Sequence, residues 1–111
     1  MTISTKTRAL LYQRGMGCCE RCGKYGANNA HHRINRSQGG SDELSNLLLL
    51  CGSGNTGCHG WVTEHPEDAR QLGLSVGRGN DPSKVSVLRY DRMLGTSARV
   101  YLTDDGELTA A

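Results

Sequence analysis

A small α+β domain is the fold class this sequence predicts, and three observations lead to it. The chain has 111 residues, enough for one domain with a modest core. Short stretches with helical spacing and short stretches of alternating character both occur, separated by turns that draw on its fifteen glycines. With no Phe, one Trp and four Tyr, the core must rest mainly on leucine and calls for an extra staple, for which the five cysteines are the candidates.

Thr5 to Arg14 reads as a short helix, capped by Ser4 or Thr5, with Leu10 and Leu11 on its apolar side and Gly15 and Gly17 as stops. Cys19-Glu20-Arg21-Cys22-Gly23 is a tight turn in which two sulfurs converge. A polar loop, Lys24 to Asn29, leads into Ala30-His31-His32-Arg33-Ile34, an expected strand. Ser37 to Asp42 is rich in turn formers and should be an exposed loop before the apolar run Leu47 to Leu50. Cys51 to Gly57 is a second Gly-rich turn, closed by Cys58 and His59, and Trp61 and Val62 suggest a helix that begins near Cys58. Pro66 suits the first turn of another helical piece that ends before Gly73. Beyond the loop Gly77 to Asp81, Val85-Ser86-Val87 and Val100-Tyr101-Leu102 are expected to form a C-terminal β-hairpin about a turn near Gly95, with Asp105-Gly106 marking a further turn. Without repeats or low-complexity tracts, residues 1–111 are expected to be a single domain.

The longest apolar stretch, Leu47 to Cys51, is far too short to cross a bilayer, and the first residues lack the apolar run of a signal peptide. A soluble cytoplasmic protein with no membrane partner is therefore expected. The net charge of +2 is uneven: residues 1–40 hold seven Lys/Arg against Glu20, residues 41–70 hold five acids against Arg70, and residues 71–111 balance at five and five. The basic block is either a solvated face or a nucleic-acid footprint. Arg89, Arg92 and Arg99 either touch a nucleic acid or are solvated.

In a reducing cytosol, cysteines at short spacings are more often metal ligands than disulfides, and an odd count leaves a leftover thiol. Cys19 and Cys22 form a C-x2-C knuckle. Cys51 and Cys58 stand further apart, but Gly52, Gly54 and Gly57 let that loop bring both sulfurs to one ion. Cys19 is preferred to Cys18 because only Cys19 makes the two-residue gap with Cys22. A structural Zn²⁺ on these four would contribute on the order of 10 kcal/mol to folding.

Three of the four histidines lie beside this staple. His31 and His32 are adjacent, so on a strand they point to opposite faces: one can hold a metal while the other addresses substrate or water. Zinc would carry His59, directly after Cys58, toward both. Together with Arg33 and Arg36 these supply what phosphodiester hydrolysis needs: a base for water, ligands for a Lewis acid, and cations for phosphate. Trp61, the lone large aromatic, is expected to pack between helix and knuckle. His65 lies on a different helical face from His59 and is read as a surface or capping residue.

The ordered set Cys19-x-x-Cys22, His31-His32-Arg33-Ile34, Gly39-Gly40-Ser41-Asp42, Ser45-Asn46-Leu47, Cys51, Cys58-His59 resembles the HNH endonuclease family, in its zinc-binding branch with a ββα-metal (His-Me finger) core, over about Cys19 to Gly73. The segment Cys58-His59-Gly60-Trp61-Val62 and the piece Pro66 to Gly73 are similar to small HNH proteins encoded by bacteriophages. The resemblance implies a metal-dependent DNA endonuclease that nicks as a monomer. It makes His32 the general base, His31 and His59 the ligands of a catalytic Mg²⁺ or Mn²⁺, with imidazole also able to accept other divalent transition metals, and Asn46 the residue that keeps the base oriented. It makes Cys19, Cys22, Cys51 and Cys58 the structural Zn²⁺ site. Where family members often carry a further metal-binding histidine, four residues after His59, this chain has Thr63. DNA is the implied substrate, with Arg33, Arg36, Arg21 and Lys24 on its backbone. A phage protein of this kind is expected in the host cytoplasm, in genome packaging with terminase and portal. The alternative is a zinc-stapled DNA-binding or assembly module without catalysis, which could dispense with His32.

Overall fold

In the computed structural model, which describes residues 2–111, helix α1 spans Thr5–Gly15. The Ser4 hydroxyl accepts the Thr7 amide at 3.1 Å, satisfying one of the unpaired N–H groups of the first turn. The helix runs one residue past the expected stop because Met16 takes the left-handed conformation (φ 55°), which lets its N–H and that of Gly17 return to Gln13 and Tyr12.

Strands β1 (Asn29–His32) and β2 (Leu47–Leu50) pair antiparallel, with His31 opposite Leu48 and His32 opposite Leu47. All four leucines of β2 are buried, since α1 packs on the strand and so does α2 (Gly57–Glu64). They join Leu11, Val62, Ala69, Leu74, Val87 and Leu102 in the leucine-based core that a chain without Phe requires. β1 stops at His32, two residues before the expected end: the Arg33 amide still bonds the Asn46 carbonyl, but the Arg33 carbonyl turns to Val76. Short 3-10 turns at Arg36–Gln38 and Leu44–Asn46 bracket the intervening loop. α3 (Pro66–Gln71) follows α2 directly, with Pro66 in its first turn and Glu67 and Asp68 at its positive end.

The C-terminal part contains the expected hairpin about the Gly95 turn, extended by one more strand. β3 (Val87–Asp91), β4 (Thr96–Leu102) and β5 (Leu108–Ala110) form a three-stranded antiparallel sheet. Val85 stays outside it because the 3-10 turn Pro82–Lys84, capped by Asp81, delivers its carbonyl to Arg33. The chain is thus a small mixed helix and sheet domain, and among the described residues no helix is long and apolar enough to cross a membrane.

A buried ion network joins the two sheets. Glu20, 1% exposed, binds Arg14 Nε (3.0 Å) and Nη2 (2.9 Å), Arg89 Nε (2.6 Å) and the Leu49 amide (2.9 Å). Burial works against the Glu20 carboxylate, but the two guanidiniums outweigh it and hold the carboxyl below its ordinary range. Arg89 is therefore neither solvated nor free for DNA. Arg99 is exposed, and it donates to the Gln71 carbonyl at 2.8 Å.

Candidate active site

The four cysteine sulfurs of the two turns lie within 4.8 Å of one another, and no disulfide links them. Each turn aims amides at its own sulfur. The Arg21 and Cys22 amides reach Cys19 Sγ at 3.4 and 3.5 Å, and the Cys58 amide reaches Cys51 Sγ at 3.4 Å. The wide Cys51–Cys58 loop closes because Gly52 and Gly57 touch. A Cβ on Gly52 would stand 2.1 Å from the Thr56 carbonyl oxygen, and one on Gly57 would stand 2.7 Å from Gly52 Cα. Such a set of thiol donors fits a tetrahedral zinc ion. Cys18 turns away, its Sγ 3.5 Å from the Met16 carbonyl, and lies outside the cluster. Burial pushes the Cys58 and Cys22 thiols up; at Cys58 the Arg21 guanidinium opposes this, with Nη1 3.3 Å from the sulfur. The Arg21 Cζ also sits 3.9 Å from the centre of the Trp61 ring, and His65 stacks on the same indole at 4.8 Å. Trp61 thus packs beside the knuckle as expected, and His65 is a cap whose Nδ1 donates to the Trp61 carbonyl.

β1 sends its two histidines to different neighbours. His31, 8% exposed, donates from Nε2 to the Leu74 carbonyl at 2.8 Å, because a carbonyl can only accept. That contact fixes the proton on Nε2 and leaves the lone pair on Nδ1. Burial pulls the His31 ring down to about 4, so it is neutral at physiological pH. His59, on the first turn of α2, meets His31 edge-on at 5.6 Å between ring centres. Its Nδ1 is buried and has no hydrogen-bond partner among the described residues. Both rings line a cavity of about 310 Å³ that also borders on Asn35, Thr63 and Ser75. Buried polar atoms are nearly always paired, and a metal-binding imidazole commonly gives its other N–H to a backbone carbonyl, as His31 does. The pair therefore fits a divalent cation. Thr63 lies on the cavity wall, and its hydroxyl donates to the His59 carbonyl at 3.2 Å.

His32 turns instead to the loop, with Nε2 2.8 Å from Asp42 Oδ1. Arg36 Nη2 meets both oxygens of that carboxylate at 3.1 Å. The Asp42 carboxyl is held below its ordinary range, first by the hydrogen bond from His32 and then by Arg36. Asn46, fully buried, spans the loop: its Oδ1 accepts the Ile34 amide at 2.8 Å, and its Nδ2 donates to the Ile34 carbonyl at 3.1 Å and the Ser41 carbonyl at 2.9 Å. Gly40 permits this closure, since a Cβ there would lie 1.7 Å from the Ile34 carbonyl oxygen.

Two of the expected DNA contacts need correction. Arg33 is 2% exposed, and it donates to the carbonyls of Gly73, Ser45, Pro82 and Val85 at 2.8 to 2.9 Å. It remains charged, although burial brings it to about 10, and it fastens β1 to the C-terminal segment instead of meeting phosphate. Arg21 is committed to Cys58 and Trp61. Lys24 and Arg36 are on the surface, and Arg36 is paired there with Asp42. Asp42 was the missed neighbour of the histidines. Its signal was present in the loop beside Gly39-Gly40, but nothing local says that the loop folds back onto β1.

Residues 19–60 match the family model HNH, HNH endonuclease. No curated protein and no solved structure matches the chain. The matched segment holds all four clustered cysteines, both members of the histidine pair, His32, Asp42 and Asn46. By its sequence and by the cluster it folds around, the segment from Cys19 to Gly60 is similar to the HNH endonuclease family.

Proposed function

We propose that this chain is a metal-dependent DNA endonuclease, folded as one domain over residues 1–111, that cuts a single strand by hydrolysis. The observation that carries the reading is the buried, unpaired Nδ1 of His59 beside the neutral His31 ring in a shared cavity. His31 and His59 hold the catalytic ion, Mg²⁺ or Mn²⁺, and Cys19, Cys22, Cys51 and Cys58 hold a structural Zn²⁺. When bound, the catalytic ion supplies Lewis-acid charge for the scissile phosphate and the leaving 3′ oxygen. His32 takes the proton of the attacking water. Asn46 keeps the loop closed so that His32 stays in place. Lys24 and Arg36 meet the DNA backbone, an interaction that weakens steeply as salt rises.

The resemblance to small bacteriophage HNH proteins supports a phage-encoded enzyme, working in the host cytoplasm in genome packaging with terminase and portal.

The test is nicking of supercoiled plasmid by the zinc-loaded protein with Mg²⁺ or Mn²⁺, set against His32→Ala, His59→Ala and an EDTA control. Metal-dependent nicking that both variants lose is the expected result. If the native chain and both variants bind DNA and keep zinc yet none cuts, a non-catalytic DNA-binding module replaces this reading.

A further inference from the structure

Asp42 has no part in the reading above, yet its carboxylate is the group that His32 touches. Oδ1 lies 2.8 Å from His32 Nε2, and Arg36 grips both oxygens. An ionised carboxylate can only accept, so the contact places the His32 proton on Nε2 and the basic lone pair on Nδ1. The neighbourhood offers a structural explanation for Asp42, that it closes the loop, but other groups already do so. Asn46 ties Ser41 to Ile34, and the Gly40 amide bonds the Asn35 carbonyl at 2.9 Å. The Asp42 side chain is thus not needed for that closure, and its shortest contact is to the imidazole.

We infer that Asp42 is the positioning residue of the general base: it fixes the tautomer and ring of His32 through Nε2–H, with Arg36 bonded to both oxygens of the same carboxylate. The inference rests on the endonuclease reading for its catalytic part. As the water oxygen bonds to phosphorus, the water proton passes to Nδ1, the P–O3′ bond breaks, and the leaving oxygen takes a proton from solvent. The imidazolium so formed is stabilised by the Asp42 carboxylate, and it later returns its proton to solvent. A hydrogen-bonded carboxylate on the far nitrogen is the arrangement that makes an imidazole a well-aimed base.

Two readouts on the zinc-loaded full chain test this. The first is steady-state nicking of supercoiled plasmid by the native protein, Asp42→Ala, Asp42→Asn and His32→Ala. The second is the imidazole ¹⁵N spectrum of His32, assigned by its loss in His32→Ala. The expected result is a native Nε2–H tautomer that becomes mixed in Asp42→Ala, a kcat about 100-fold lower with KM for plasmid within about twofold, and unchanged zinc content and melting. Asp42→Asn, of the same shape, should also lose kcat while folding as the native chain does. A native His32 protonated on Nδ1, or an Asp42→Ala kcat equal to the native value, overturns the inference. So does a loss of kcat in both Asp42 variants that merely follows lost zinc or melting. If the native chain does not cut, the endonuclease reading fails, and the spectrum alone still decides whether Asp42 sets the tautomer.

Discussion

The side-chain amide of Asn46 donates to the Ser41 carbonyl at 2.9 Å, one residue before the carboxylate that faces His32. The same amide brackets Ile34, two residues after His32. One buried side chain therefore holds both ends of the loop that brings Asp42 to the imidazole.

Asn46→Ala should destabilise the domain by about 2–4 kcal/mol, because it leaves the Ile34 amide and two carbonyls buried without their partner. Nicking should fall at least about tenfold, since the loop that aims His32 is released. Thermal melting and the plasmid assay check the two halves separately. Full activity in a folded Asn46→Ala variant would remove the residue from the site.

The cysteine cluster predicts a dependence on metal for the fold itself. Cys22→Ser leaves three sulfurs where a tetrahedral ion needs four ligands, and it should cost most of the roughly 10 kcal/mol that a structural zinc supplies. The expected outcome is an unfolded or molten chain by circular dichroism, and the native protein should behave alike after treatment with a strong zinc chelator. Unchanged melting and zinc content in Cys22→Ser would refute the staple.

Arg21 adds a second layer to that site. Its guanidinium donates to Cys58 Sγ at 3.3 Å while lying on the Trp61 face, so it supplies positive charge where four thiolates on one divalent ion leave an excess of negative charge. Arg21→Ala should weaken zinc binding by about 10- to 100-fold and alter the fluorescence of Trp61, the sole tryptophan. Competition with a chromophoric chelator measures the affinity. DNA affinity should change less than it does in Lys24→Ala, because the Arg21 charge is directed to sulfur.

What the sequence made legible is what local chemistry decides. Ser4 caps α1, Pro66 opens α3, the leucine run forms a buried strand, and the C-x2-C spacing converges two sulfurs; each follows from residues within a few positions of one another. The illegible part consists of charges with distant partners. Summing Lys and Arg over residues 1–40 treats Arg14 and Arg33 as surface cations. In the fold Arg14 pairs with a buried Glu20 that also binds Arg89, 69 positions away, and Arg33 reaches Val85, 52 positions away. β5 escaped for a different reason: Leu108–Ala110 is three residues long and exposed, too short to show a period, so only its preceding turn could be read. The pairing of His32 with Asp42 belongs to the first kind, since ten residues and a glycine-dependent reversal separate them.

The Arg14–Glu20–Arg89 network yields the last prediction. Glu20 sits between the two zinc-knuckle cysteines and binds α1, β2 and β3 at once, so it sets where the knuckle lies relative to both sheets. Removing its carboxylate leaves two buried guanidiniums facing each other without a counter-charge. Glu20→Ala should therefore cost about 3–5 kcal/mol, well above a surface ion pair. Replacing all three residues with apolar side chains of similar volume should recover most of that loss, because the penalty comes from unpaired buried charge and not from the absence of the ions. Denaturant unfolding of zinc-loaded single and triple variants separates the two. A Glu20→Ala variant within about 1 kcal/mol of native would mean that water reaches the two arginines and that the network does little to fix the knuckle.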